Sequence, residues 1–345
     1  MKINKSIIAL PLVGLLLSGC IGKKPYPSED YLLSTSWGEK EEYRILQLGD
    51  IHLSQSDVFE EHFDVLNRTV KASNPDLIVL NGDIFTFADK HVVKKVFQFF
   101  DDYNIPWTYT FGNHDDQGYY ADNYIQRLLG GDTYKNVLFK NLEDDDVTGR
   151  SNFVINVKDG DKVKYQVYCL DSQNYNFDTM GYDFIKQDQI DWYERMVNYT
   201  TEKNGGEVVK SSMFIHIAFP EFVKDWESKT EDDFIIGMME EGAGSPEEDL
   251  GFFNKIKELR STQTVHANHD HANDSVLEYE QVYFSYGVHS TNRIYNDKES
   301  KKIGGQILRI KKADTSKLIF ENYYTEYNSD KAPTVVTSPE VGGAK

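Results

Sequence analysis

Two cysteines in 345 residues leave no room for a disulfide framework. Nor is there a cysteine cluster of the kind that holds a structural zinc ion. Cys169 falls inside the apolar run 167–170, where a buried small hydrophobe is its expected role. Basic residues are also scarce, with 37 Lys and Arg against 56 Asp and Glu and a formal charge of −19. Such a surface opposes non-specific binding to nucleic acid or other polyanions, so no nucleic-acid partner is expected. A small phosphoester is still admissible where metal cations set the local field. The apolar run at 7–17 is too short to span a bilayer. No internal repeat and no inter-domain linker divide the chain, so one catalytic domain is the simplest reading.

What is present can build a sizeable core: 39% hydrophobic and 13% aromatic residues. From residue 44 the pattern alternates strand and helix. Strands are expected at 44–48, 77–80 and 107–111, and helices at 58–70, 91–100 and 122–129. Phe59, Phe63, Leu66 and Val70 share one face of the first helix. Alternation of this kind argues for βαβ units and a parallel sheet. From residue 152 strands dominate, beginning with a hairpin around Asp159-Gly160-Asp161. A helix at 187–197, a strand at 212–216, a loop at 240–248, a helix at 252–259 and a strand at 262–265 follow. The strands at 276–279, 282–286, 305–310 and 318–323 read as a second sheet. Residues 21–42 read as a polar tether ending in a short edge strand around 31–37. The segment 327–345 carries no periodicity and reads as a disordered tail.

Five short clusters carry the chemistry, each where an expected strand ends. They are Gly49-Asp50-Ile51-His52, Gly82-Asp83, Gly112-Asn113-His114-Asp115, a lone His216, and His269-Asp270-His271. Of nine histidines, five fall inside these clusters. In an open parallel sheet, functional groups gather beyond the carboxyl ends of strands. Asp50, Asp83 and Asn113 therefore project to one edge. Carboxylate, amide and imidazole donors together suit Mn, Fe or Zn and suit Ca poorly. Two such cations about 3.5–4 Å apart clamp a phosphate for in-line attack and need one bridging carboxylate. Asp83, the single acidic residue of the middle cluster, is placed for that. His62 and His91 lie in expected helices without assigned function. His266 and His289 stand outside the pattern and read as structural, although His289 could line a pocket mouth. Asp171-Ser172 follows a strand and is a weaker candidate for contact with the site.

Five motifs in this order, from about residue 43 to 323, resemble the calcineurin-like metallophosphoesterase superfamily. The resemblance implies a four-layer α/β/β/α sandwich of two mixed sheets. It implies one metal held by Asp50, His52, Asp83 and His271, and a second by Asp83, Asn113, His216 and His269. His114 would then protonate the leaving oxygen, with Asp115 helping to orient it. The implied reaction is hydrolysis of a phosphomonoester or phosphodiester by a metal-bridging hydroxide. Asp-x-His in place of Asp-x-Gly is expected to set the chain apart from plant-type purple acid phosphatases. One departure stands out: Asn268 occupies the position where the family usually has glycine. Glycine there permits φ > 0, and Asn tolerates it best among non-glycine residues, so the substitution is compatible with a working site.

The N-terminus resembles a different signal. Lys2 and Lys5 precede the apolar run, and Leu17-Ser18-Gly19-Cys20 after it is similar to a bacterial lipobox. The resemblance implies a lipoprotein signal over 1–20 with Cys20 lipidated, and an extracytoplasmic, membrane-anchored domain spanning 43–326. Each buried CH2 of the lipid would contribute roughly 0.8 kcal/mol to anchoring. Loss of Lys2 and Lys5 takes the charge to −21, because residues 1–19 hold no Asp or Glu. Two non-enzymatic readings compete: a catalytically silent binding or receptor lipoprotein on the same scaffold, and a two-lobed solute-binding lipoprotein. Loops at 116–120, 174–183 and 221–244 would choose the substrate, and they carry no readable pattern.

Overall fold

A computed structural model describes residues 26–342, apart from 58, 118–120, 143–144, 151, 225, 248, 291–292, 295–297 and 300–301. The expected signal segment and Cys20 lie outside the described residues. The chain runs through β1 (Leu32–Ser36), β2 (Glu42–Leu48), α1 (Phe59–Ser73), β3 (Leu77–Asn81), α2 (Lys90–Asp101), β4 (Trp107–Thr110) and α3 (Ala121–Leu129). A hairpin of β5 (Phe153–Asp159) and β6 (Lys162–Cys169) follows, then a small hairpin of β7 (Tyr175–Asn176) and β8 (Gly181–Tyr182). Next come α4 (Gln187–Lys203), β9 (Ser211–Phe214), β10 (Phe234–Ile236), α5 (Phe252–Leu259) and β11 (Thr262–Ala267). The chain closes with β12 (Val276–Tyr279), β13 (Val282–Tyr286), β14 (Arg293–Ile294), β15 (Lys298–Glu299), β16 (Gly304–Lys311), β17 (Lys317–Tyr324), β18 (Thr334–Thr337) and β19 (Val341–Gly342).

Two mixed sheets carry the fold. One has the order β1-β5-β6-β9-β11-β13-β12-β10, the other β18-β17-β16-β2-β3-β4 with β19 also on β17. Period-two alternation along each strand explains why they stack. In β6, Val167 and Cys169 join the core shared with the other sheet, while Tyr168 and Leu170 face α4 and α5. The shared core unites Ile155, Val157 and Phe214 of one sheet with Ile45, Phe320 and Leu318 of the other. Tyr283 and Phe320 meet across the interface with ring centroids 6.0 Å apart. Leu66, Val96, Phe97 and Ile125 of the first three helices cover the second sheet. Trp192, Met196, Phe252 and Ile256 of the last two cover the first. The layers are therefore α/β/β/α, and one core spans both sheets, which leaves no hinge of the kind a two-lobed solute binder needs. Cys169 sits in that core as a free thiol, pushed up to about 12 by burial.

Two expectations need correction. β16 and β17 do not join the strands that precede them in sequence; β16 returns to pair antiparallel with β2, and β17 pairs antiparallel with β16 on its other side. Short-range alternation cannot say which edge a late hairpin will choose. The segment read as a disordered tail holds β18 and β19, both hydrogen-bonded to β17. Their side chains are mostly exposed, so the backbone ladder and not an apolar pattern holds them. The edge strand expected at the end of the tether is present as β1. Tyr31 is fully buried, donates to Asp145 at 2.5 Å, and leads into the edge strand β1.

On the outer face of the second sheet, Glu321 is 5% exposed. It accepts from Arg44 at 2.8 Å, Arg309 at 2.7 Å and the Tyr323 hydroxyl at 3.0 Å. Burial raises its carboxyl, but the two guanidinium groups outweigh that and hold it below the ordinary glutamate value. A depressed folded-state value means stability that is present above the unfolded-state value and lost as pH falls through the folded one. Glu321→Gln should therefore cost about 3 kcal/mol at neutral pH. The gap from the parent should narrow below about pH 4. Urea unfolding of both proteins at the two pH values measures this, and a pH-independent gap would contradict it.

Candidate metal centre

Five strand ends converge where the sheets meet. β2, β3 and β4 lie parallel in one sheet, and β9 and β11 lie parallel in the other. The loops after them bring Asp50, Asp83, Asn113, His216 and His269 to one edge. Asp50, His52, Asp83 and His269 all take left-handed backbone, with φ of 51°, 52°, 51° and 83°. Such conformations are costly for non-glycine residues and persist where surrounding contacts over-determine them. Close approach is built in as well. A Cβ on Gly112 would lie 2.2 Å from Asp83 Oδ1, and one on Gly82 would lie 2.4 Å from the His216 ring.

The structure brings together most of the residues singled out in the sequence. Asp50, His52 and His271 form one compact donor group, His52, Asp83 and His114 a second, and Asp50, Asp83 and His216 a third. Within them Asp83 Oδ2 lies 3.2 Å from His216 Nε2, 3.7 Å from His52 Nε2 and 4.0 Å from His114 Nε2. Asp50 Oδ1 lies 3.7 Å from His271 Nε2 and 4.0 Å from His216 Nε2. His52 and His271 face each other with Nε2 atoms 3.0 Å apart. His269 stands outside these three groups but lines the same cavity of about 630 Å³, its ring 5.5 Å from that of His216.

Four of the five cluster histidines are steered through Nδ1. His52 Nδ1 meets Thr86 Oγ1 at 2.8 Å, and His114 Nδ1 meets Gln117 Oε1 at 2.8 Å. His216 Nδ1 meets the Asn81 carbonyl at 3.0 Å, and His269 Nδ1 meets Asp270 Oδ1 at 3.2 Å. A hydrogen bond at Nδ1 fixes the ring and leaves Nε2 as the ligand nitrogen, the usual support around a bound metal. Thr86, Gln117, Asn81 and Asp270 were not singled out in the sequence. Asp270 alone carried a signal, lying between two candidate ligands; it also accepts from Gly244 N at 2.9 Å and Tyr286 OH at 2.9 Å.

Electrostatics point the same way. Burial raises the Asp50 carboxyl, whereas Asp83 is held far below its ordinary value by His216, His52 and His114 despite its burial. Burial pulls His216 down, yet Asp83 and Asp50 carry it up to about 10. His52 is pushed down to about 3, chiefly by burial. Two buried carboxylates at close quarters thus depend on positive charge. His216 Nε2 and Asn113 Oδ1 are buried without a hydrogen-bond partner. An orphaned Asn113 Oδ1, and a His216 Nε2 whose nearest described contact is its ion pair with Asp83 at 3.2 Å, fit divalent or trivalent cations beside the paired carboxylates.

Other roles are revised. Asp115 was expected to orient His114, and among the described hydrogen bonds it does not. Fully buried, it accepts from Asp83 N at 3.0 Å, Phe85 N at 2.9 Å and Gly112 N at 2.8 Å, tying two ligand loops together. Gln117 is the residue that holds His114. Asn268 is not left-handed; the positive φ falls on His269 instead. Its amide nitrogen donates to Asp50 at 3.1 Å, while its oxygen accepts from Gln47 at 2.5 Å and Asn81 at 3.2 Å. Ser172 accepts from His216 N and Ile217 N, at 3.2 Å and 2.8 Å, and so supports the loop behind the site. His266 is a core residue stacked on Phe214 at 4.5 Å, and His289 is buried beside His271 with near-parallel rings.

Because Asn268 holds Asp50 in one orientation, Asn268→Ala should weaken metal binding about 10–100-fold. Asn268→Gly, which restores the residue usual in the superfamily, should weaken it similarly, since the amide is lost in both. Calorimetric metal titration checks this; unaltered affinity in both variants would show that the amide is dispensable.

Comparison with known proteins places this geometry. The family model described as calcineurin-like phosphoesterase matches residues 43–236, more than half of the chain. The Arabidopsis thaliana protein named "Probable inactive purple acid phosphatase 29" is 26% identical over 308 residues, covering 78% of this chain and 77% of that protein. Phosphatase DCR2 of Saccharomyces cerevisiae is 27% identical over 266 residues, covering 68% of this chain and 45% of that protein. A dimetal phosphatase from Danio rerio shares the fold, with a TM-score of 0.53 at 9% identity over 86% of this chain and 99% of that one. Plant proteins named as probable inactive purple acid phosphatases are among its relatives, so the expected separation from that group is not seen at the level of overall similarity. By its sequence, its fold and its converging ligand loops, the chain belongs to the calcineurin-like phosphoesterase family.

Proposed function

We propose that the protein is a metal-dependent hydrolase of phosphomonoesters or phosphodiesters with two transition-metal ions, Mn, Fe or Zn, at the site. The observation that carries this reading is the set of Nδ1-anchored histidines around Asp50 and Asp83, with ligand atoms left over. Asp50, His52, Asp83 and His271 would hold one ion, and Asp83, Asn113, His216 and His269 the other. When bound, the pair supplies Lewis-acid charge at the phosphoryl oxygens and activates water at neutral pH. His114 is the most open of the paired histidines, its side chain 36% exposed against 16% for His52 and 0% for His216. Held at Nδ1 by Gln117, it turns Nε2 toward the cavity, where it can keep a proton for the leaving oxygen. The left-handed turns at Asp50 and Asp83 keep both carboxylates in place before substrate arrives.

A catalytically silent receptor is the second reading, and the name of the Arabidopsis relatives favours it. Against it stand a full ligand set and His114 in position. The lipobox-like segment 17–20 supports a further proposal, that the domain is lipid-anchored outside a bacterial membrane.

Reconstituted protein should carry about two transition-metal ions per chain by mass spectrometry. Asp83→Asn should lose both that content and turnover of an aryl phosphate. His114→Asn should keep the metals while turnover falls about 10²–10⁴-fold. Full metal content with no turnover of any ester would favour the silent receptor, and full turnover by Asp83→Asn would sink the enzymatic reading.

A further inference from the structure

The cavity over the ligand cluster is not lined like a site for a polyanion. Among the described residues no lysine or arginine lines it; beyond the ligand loops its walls are Tyr182, Glu241 and the strip Gly242-Ala243-Gly244. Multiply phosphorylated substrates would meet a carboxylate there and no countercharge.

One wall continues outward as a chain of aromatic rings. Tyr182 stands edge-on to His269 at 4.6 Å, Tyr175 meets Tyr182 at 5.7 Å, and Phe177 meets Tyr175 at 5.1 Å. Tyr175 and Tyr182 are cross-strand partners in the hairpin of β7 and β8. Asp178 N donates to Asn176 Oδ1 at 2.9 Å within the turn, and at the base Asn174 Nδ2 donates to Asp116 at 2.7 Å. The hairpin is thus braced, yet its tip holds Phe177 and Met180 at 79% and 72% exposure, the most exposed large hydrophobic residues described. Met180 is held there at a φ of 55°. On the cavity floor Gly244 lies so close that a Cβ would come within 3.0 Å of the Tyr182 ring and 2.6 Å of His269. Bare backbone there lets the 242–244 strip pack directly against Tyr182 and His269 at the foot of the ring chain.

We propose that this hairpin is a leaving-group subsite, and that the substrate is a singly phosphorylated ester whose alcohol part carries a planar aromatic ring. The inference rests on the phosphoesterase reading. Aromatic rings prefer offset or edge-to-face partners, and successive near-perpendicular rings offer such a partner at each step from the metal-ligand cluster to solvent. An aryl alcohol and a nucleoside share this chemistry. The lack of lysine and arginine in the described lining beyond the metal-ligand cluster disfavours nucleoside di- and triphosphates, and the acidic surface disfavours phosphorylated polymers.

The test compares phenyl phosphate, adenosine 5′-monophosphate and glycerol 3-phosphate as substrates of the metal-reconstituted full chain. Both aromatic esters should exceed glycerol 3-phosphate in kcat/KM by about tenfold or more, mainly through KM. Phe177→Ala combined with Met180→Ser should bring that ratio toward one, with melting temperature and metal content retained as the check on folding. Preference for phenyl phosphate alone, or for the nucleotide alone, identifies which aromatic source the subsite takes. In parallel, calorimetry compares phenylphosphonate with methylphosphonate, so that binding discriminates even if no ester is turned over. Equal affinity for the two phosphonates, or a kcat/KM ratio near one in the parent, would overturn the subsite while leaving phosphoester hydrolysis intact. Absence of all turnover with phenylphosphonate still preferred would overturn hydrolysis and keep the subsite. Association with phosphatidylcholine vesicles that depends on Phe177 and Met180, without aromatic preference, would make the tip a membrane contact instead.

Discussion

Two carboxylates, Asp50 and Asp83, are buried within reach of the same histidines, and the rest of the molecule is organised around that constraint. Taking one unpaired carboxylate out of water costs several kcal/mol, and two side by side cost more. The fold meets this cost with imidazole donors drawn from two separate sheets, among them His216, which the carboxylates carry up to about 10: His52 and His114 follow strands of one, His216, His269 and His271 strands of the other. Neither sheet alone surrounds the pair. The sandwich is thus a condition of the site as well as its support.

Backbone hydrogen bonds and amide side chains join the two halves. Asn81 donates to the Ile215 carbonyl at 2.8 Å, Gln47 to the Ala267 carbonyl at 2.9 Å, and Ser290 N to the Gly49 carbonyl at 2.9 Å. Asn268 sits at the centre, bonded to Gln47, Asn81 and Asp50. A glycine at that position offers no such link, so this chain has made a side chain serve where the family usually has none. Asp115 does comparable work on the other side by binding three backbone N–H groups. Residues that look catalytic by adjacency can be structural, because a buried carboxylate is as useful for fixing loops as for moving protons.

Much of the fold and site was legible in the sequence, for reasons that differ by element. Helix α5 and strands β12 and β13 could be bounded well because each apolar run ends in a turn signal. The ligand set could be named because strand, glycine and ligand recur together in five places. Glu321 with its two arginines, drawn from β17, β2 and β16, had no local signal: its partners are more than 250 and only 12 residues away. The same holds for Gln117, which is an ordinary loop glutamine until His114 turns toward it. Strand β18 carried a signal in its four β-branched residues, Thr334 to Thr337, but no alternation of apolar and polar residues, and the two-residue β19 is too short to show any pattern.

The amino-acid sequence by itself determined the chemistry: which side chains can hold cations, in what order, and at the ends of which strands. Side-chain type and period-two or period-3.6 patterning are local properties and can be read locally. Only the tertiary structure decided which sheet β16 and β17 would join, that Asp115 would bind loops, that Asn268 would hold Asp50, and that Tyr182, at the cavity wall, would meet the rings of Tyr175 and His269. Each of these depends on distances between residues remote in sequence, which exist only once the two sheets have closed on each other.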